Sequence, residues 1–129
     1  MKKINSLCII DDDPIYTFGL KKIIELGGFD VDTIFYENGK EAYEKLSETL
    51  NEGRTLPEVI LLDINMPIWN GWKFLDEFTK IRTKQKANIY IISSSIDPKD
   101  HEKAKEYDVI NNFIIKPISI EKISQLLIS

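Results

Sequence analysis

Five short apolar runs alternate along this chain with segments whose apolar residues recur every three or four positions, and no other feature limits the fold as much. The runs lie at 4–10, 31–36 (VDTIFY), 58–63 (EVILLD), 88–93 (NIYIIS) and 111–115 (NNFII), each of strand length, with β-branched residues plentiful. Between them, 14–26 places Tyr16, Leu20, Ile23 and Ile24 on one helical face. Asp13 is its expected N-cap, Pro14 its first turn and Gly27-Gly28 its stop. Similar stripes run through 39–50 (Ala42, Tyr43, Leu46, Leu50), 70–81 (Phe74, Leu75, Phe78, Ile81) and the C-terminal stretch (Ile120, Ile123, Leu127). Segment 97–108 also opens with Asp-Pro, yet offers only Ala104 and Tyr107 for burial, so its packing is expected to be weak.

Strands that alternate with helices imply a parallel sheet covered on both faces, and continuously apolar rather than alternating runs agree with burial of both faces. The expectation is an α/β, doubly wound domain of five β/α units. A chain of 129 residues accommodates one such domain, 1–129, with no output domain expected. The net charge of −4 gives no basic field for nucleic acid, so direct DNA binding is disfavoured. Cys8 sits inside the apolar run LCII without a disulfide partner and reads as core in a reducing compartment. No stretch reaches the roughly 20 apolar residues of a membrane helix, and the N-terminus turns acidic too soon for a secretion signal; a cytoplasmic location, away from the membrane, is expected.

In an open doubly wound sheet, ligands gather outside the carboxyl ends of the strands. The first run ends in Asp11-Asp12-Asp13, the third in Asp63, the fourth in Ser93-Ser94-Ser95, and the fifth leads into Lys116-Pro117. If the strands are right, all of these share one rim. Carboxylates crowded together repel, and a divalent cation relieves the repulsion. Magnesium suits such a site, since it takes oxygen ligands and commonly joins one or two carboxylates to a phosphate. With a metal at Asp11 or Asp12, Asp63 has the character of a nucleophile toward a phosphoryl group, with Lys116 as countercharge and Ser93 as hydroxyl donor.

The motifs IIDDDP, LLDINMP followed by NGWKFL, the apolar run ending IISSS, and FIIKP, in that order and spacing, resemble those of response-regulator receiver domains of two-component signalling, from about residue 4 to the end. The resemblance implies a flavodoxin-like sheet in the order 2-1-3-4-5 with five helices. It also implies Asp63 as phosphoacceptor and Mg²⁺ held by Asp12, Asp63 and the backbone carbonyl of Asn65, with Asp11 completing the pocket through water. Ser93 and Phe113 then occupy the switch positions, where the family often has Thr and Tyr, and Lys116 is its lysine, followed by a cis bond to Pro117. The partners it implies are a histidine kinase or phosphotransfer protein upstream and a protein target downstream, met as monomer or weak homodimer. Such a domain is a switch with self-catalysed phosphotransfer and autodephosphorylation rather than an enzyme.

Plainer readings stand beside these. Asp63 alone would be a strand-end cap, and only its company makes it a site residue. Asp13, followed by Pro14 and a periodic helix, reads as a cap rather than a ligand. Ser93 alone starts a polar loop, Lys116 alone is a solvated lysine, and Phe113 on its own reads as buried filling. His101 lacks companions for zinc and is expected to be exposed, and at least one of Trp69 and Trp72 is expected to be partly exposed. Two other function classes compete. A magnesium phosphatase with an aspartyl-phosphate intermediate, resembling the haloacid dehalogenases, needs a second acid two residues after the nucleophile, where this chain has Asn65. A pseudo-receiver that is never phosphorylated has no need of a costly acidic cluster.

Overall fold

The computed structural model describes residues 3–128. Its elements are β1 (Ser6–Ile10), α1 (Pro14–Leu26), β2 (Asp32–Tyr36), α2 (Gly39–Asn51), β3 (Val59–Leu62), α3 (Gly71–Phe78), β4 (Asn88–Ser93), α4 (Pro98–Ala104), β5 (Ile110–Ile115) and α5 (Ile120–Leu127). The five strands form one parallel sheet in the order β2-β1-β3-β4-β5, the flavodoxin-like order that the motifs imply.

Period-two alternation divides the strand side chains between two cores. Cys8, Ile10, Ile60, Leu62, Ile89 and Ile91 pack with Ala42, Leu46, Phe74 and Leu75 of α2 and α3. Leu7, Ile9, Val59, Leu61 and Ile92 pack with Leu20 and Ile24 of α1 and Ile123, Leu126 and Leu127 of α5. Both faces of β1 and β3 are therefore buried, as continuous apolar runs require. The edge strands differ: Asp32 and Ile34 of β2, and Asn111, Asn112 and Ile115 of β5, are exposed. An edge strand lies at the margin of the helical layers, and polar residues there also discourage pairing with another chain.

The caps follow local chemistry. Asp13 Oδ1 accepts from the N–H groups of Ile15 and Tyr16, Asn70 Oδ1 from Lys73 N, Asp97 Oδ1 from Lys99 N and Ser119 Oγ from Lys122 N. After α1, Gly28 takes φ +72°, a conformation that suits a residue without Cβ. Two helices are shorter than their sequence stripes. α3 stops at Phe78: Thr79 N still donates to Leu75 O at 2.9 Å, but Lys80 N and Ile81 N turn to the carbonyls three residues back, of Glu77 and Phe78, so Ile81 falls outside it. α4 stops at Ala104, its one buried residue, and Tyr107 reaches across to α3 from the following turn. No helix among the described residues is long and apolar enough to cross a membrane.

Candidate functional site

The sheet order sets β1 beside β3, and hydrogen bonding continues past both strand ends. Asp11 N donates to Tyr36 O at 3.0 Å and Asp63 N donates to Ile10 O at 2.9 Å, so the backbones of the two acids are held by neighbouring strands. Close packing at the start of α3 supports the same spot. A Cβ on Gly71 would stand 2.6 Å from the Asp63 carbonyl oxygen, so only glycine lets α3 approach this closely.

Asp11, Asp12 and Asp63 each offer a carboxylate oxygen within 4.8 Å of the others. Asp11 and Asp63 are buried, at 4% and 6% exposure, whereas Asp12 opens to solvent. One Asp11 oxygen accepts from Asp13 N at 2.9 Å. The other, Oδ2, lies 2.8 Å from Lys116 Nζ, which is also 3.6 Å from Asp63 Oδ2. The contact with Asp11 is an ion pair by distance, but Oδ2 has no aligned hydrogen-bond donor.

Three carboxylates thus crowd together while the Lys116 ammonium reaches two of them, Asp11 and Asp63, and the consequence is visible at Asp63. Burial, and then the neighbouring Asp11 charge, push its carboxyl up from 3.8 to about 6, against the opposing pull of Lys116 and of the N–H groups of Asn65 and Ile64. Surplus negative charge and an all-oxygen donor set suit a hard divalent cation such as Mg²⁺.

The remaining sequence-predicted residues surround this cluster. Ser93 ends β4 fully buried, its Oγ accepting from Ser95 N at 3.1 Å. Lys116 N donates to Ser93 O at 2.8 Å, tying the ends of β4 and β5 together before the cis Lys116–Pro117 bond. Asn65 is exposed in the loop after β3, and its N–H reaches Asp63 Oδ1 only at 3.5 Å. Phe113 lies in register with Ile91 and is half-buried rather than fully enclosed. Trp69 and Trp72 are both half-buried. Trp69 lies against Tyr43, and Trp72 stacks on Tyr107 at 5.7 Å, with Tyr107 donating to Asp76 Oδ1 at 2.6 Å.

Two residues carry more than their sequence pattern suggests. His101 is not exposed: its ring stacks on Phe113 with centroids 3.9 Å apart, and its Nε2 sits 3.3 Å from the Ser95 carbonyl. The charged stretch around it conceals this, because the partner ring arrives from β5. Tyr16, expected only as part of the α1 stripe, places its ring centre 4.3 Å from Lys116 Nζ. Burial pushes the Tyr16 phenol up to about 12, so the hydroxyl stays neutral at ordinary pH. A groove of about 390 Å³ lined by Leu50, Phe78, Asn88 and Val109 lies at the amino end of the sheet and contains none of the site residues.

The sequence profile of the response regulator receiver domain matches residues 7–128. A two component response regulator from Cytophaga hutchinsonii shares the fold at a TM-score of 0.84 and 35% identity, over 97% of this chain and 95% of that one. A response regulator receiver protein from Dyadobacter fermentans superposes at a TM-score of 0.79 and 25% identity, over 95% and 94% of the two chains. Transcriptional regulatory protein HptR from Staphylococcus aureus is 30% identical over 119 residues, which are 92% of this chain and 43% of HptR. The probable methanogenesis regulatory protein FilR2 of Methanothrix harundinacea is 24% identical over 119 residues, 92% of this chain and 76% of FilR2. This chain therefore spans most of FilR2 but less than half the length of HptR.

Proposed function

The chain belongs to the response regulator receiver domains, the phosphoacceptor switches of two-component signalling, and from that premise we propose that Asp63 accepts a phosphoryl group from a phosphohistidine on a histidine kinase or phosphotransfer protein. The observation that carries this is the buried Asp63 carboxylate lying 3.6 Å from Lys116 Nζ within a cluster of three acids. An Asp63 oxygen attacks phosphorus as the bond from phosphorus to the imidazole nitrogen breaks, and the electron pair leaves on that nitrogen. The product is an acyl phosphate. Lys116 moves its charge from carboxylate oxygens to phosphoryl oxygens. Ser93, whose Oγ accepts from Ser95 N, keeps its own proton to donate to the phosphoryl group. The residues to hold Mg²⁺ are Asp12, Asp63 and the Asn65 carbonyl, with Asp11 behind them through water; when bound, the ion supplies positive charge that offsets the crowded carboxylates.

The switch reading draws on packing. α4 has seven residues and buries only Ala104, so moving it sacrifices little apolar contact. Ser93 and Phe113 lie on the two strands beside it, and we assign them as the groups that register the phosphoryl group and pass the change to the face of α4, β5 and α5. That face then meets a downstream protein, or a second copy in a weak homodimer. Acetyl phosphate with Mg²⁺, followed by intact mass, tests the acceptor: the wild type should gain one phosphoryl group per chain and stop. Asp63→Asn should gain none, and an equal gain in that variant would move the acceptor elsewhere. Repeated turnover of donor in excess of the chain would indicate a phosphatase instead.

A further inference from the structure

Transfer to Asp63 needs the Lys116 ammonium where the phosphoryl oxygens arrive, and lysine is a flexible point charge with little geometric preference of its own. Three groups stand around that ammonium: Asp11 Oδ2 at 2.8 Å, Asp63 Oδ2 at 3.6 Å and the Tyr16 ring centre at 4.3 Å. The carboxylates are unsteady guides. Asp11, the nearer, draws the ammonium away from the acceptor, and the Asp63 contact alters once that carboxylate becomes an acyl phosphate. The attraction of a ring face depends on neither event, because it arises from the fixed quadrupole of the π system.

Tyr16 is also poorly chosen as mere filling. It is half-buried against the core between α1, α5 and the sheet, and its buried Oη faces the Ile118 backbone without forming a well-aligned hydrogen bond. A hydroxyl so poorly satisfied in such a place is a penalty that a purely apolar side chain avoids.

We propose that Tyr16 is a positioning residue for phosphoryl transfer, its ring face holding the Lys116 ammonium at the acceptor. This rests on the assignment of Asp63 as acceptor. With acetyl phosphate as donor, an Asp63 oxygen–phosphorus bond forms while the bond from phosphorus to the acetyl oxygen breaks, its electron pair leaving on acetate. The ring takes no part in the bond changes and acts only through Lys116.

The test compares wild type, Tyr16→Phe, Tyr16→Leu, Tyr16→Met and Asp63→Asn with acetyl phosphate and Mg²⁺, reading the phosphorylation rate by intact mass and the melting temperature of each protein. Tyr16→Leu and Tyr16→Met should slow transfer by roughly tenfold, the scale of one partly desolvated cation–π contact, and Tyr16→Phe should restore the rate to within about twofold. A purely structural role predicts that rate follows melting temperature whether or not a ring is present. Met fills the space without a π face and keeps the comparison decisive where Leu loosens α1. Wild-type rates in both Leu and Met variants, or a Phe variant as slow as Leu, overturn the Tyr16 role while a silent Asp63→Asn leaves the acceptor assignment standing. A wild type that gains no phosphoryl mass, or an Asp63→Asn that gains as much, removes the acceptor assignment and the Tyr16 role with it.

Discussion

Replacing Asp63 by Asn should stabilise the metal-free protein at neutral pH, although it deletes the proposed acceptor. The folded site holds the Asp63 carboxyl at about 6 instead of 3.8, because burial and the Asp11 charge disfavour ionisation more than Lys116 favours it. A group raised in this way contributes stability fully below its unfolded value, and loses that contribution as pH climbs through its folded value. At about 1.4 kcal/mol per tenfold change, the displacement amounts to roughly 3 kcal/mol, which solvent entering beside the exposed Asp12 screens to about 1–2 kcal/mol. For a domain of this size that is a melting-temperature gain of roughly 4–8 °C for Asp63→Asn at pH 7 and above. Between pH 6 and pH 4 the gain should shrink toward a constant offset, as the wild-type carboxyl takes up its proton. Thermal denaturation of both proteins in chelator, from pH 4 to pH 8, measures the difference directly. Parallel curves across that range, or a variant that loses stability as pH rises, would refute the claim that ionised Asp63 is held under electrostatic stress.

Magnesium should reverse that stress in the wild type: at a hundredfold excess over its dissociation constant it should raise stability by about 2.7 kcal/mol, and Asp12→Ala should lose most of this rise in the same melting experiment. Ile68, 74% exposed after Pro67, takes φ +67°, a left-handed backbone conformation that is costly for a β-branched residue. Ile68→Gly should therefore stabilise the fold by roughly 0.5–1 kcal/mol, the relieved strain exceeding the extra chain entropy of glycine, as read from chemical denaturation at constant m.

Local chemistry made much of this protein legible from its sequence. The period of the apolar residues separates five strands from the helices, Asp13 and Pro14 place the start of α1, and the strand order follows from the receiver-domain resemblance that the motifs carry. That Asp11, Asp12, Asp63 and Lys116 lie on one rim follows from each standing just beyond the carboxyl end of a parallel strand. Tertiary structure decided the rest. The stacking of His101 on Phe113 and the approach of Lys116 to Tyr16 join residues 12 and 100 positions apart, across elements whose relative rotation no local pattern encodes. The exposure of the edge strands β2 and β5 likewise depends on which neighbour covers each surface. Periodicity reports the face a residue presents, because i and i+4 meet within one helix. Which side chain waits opposite that face is fixed only when the layers pack, and here that packing sets an aromatic ring beside the lysine and a histidine beside the phenylalanine.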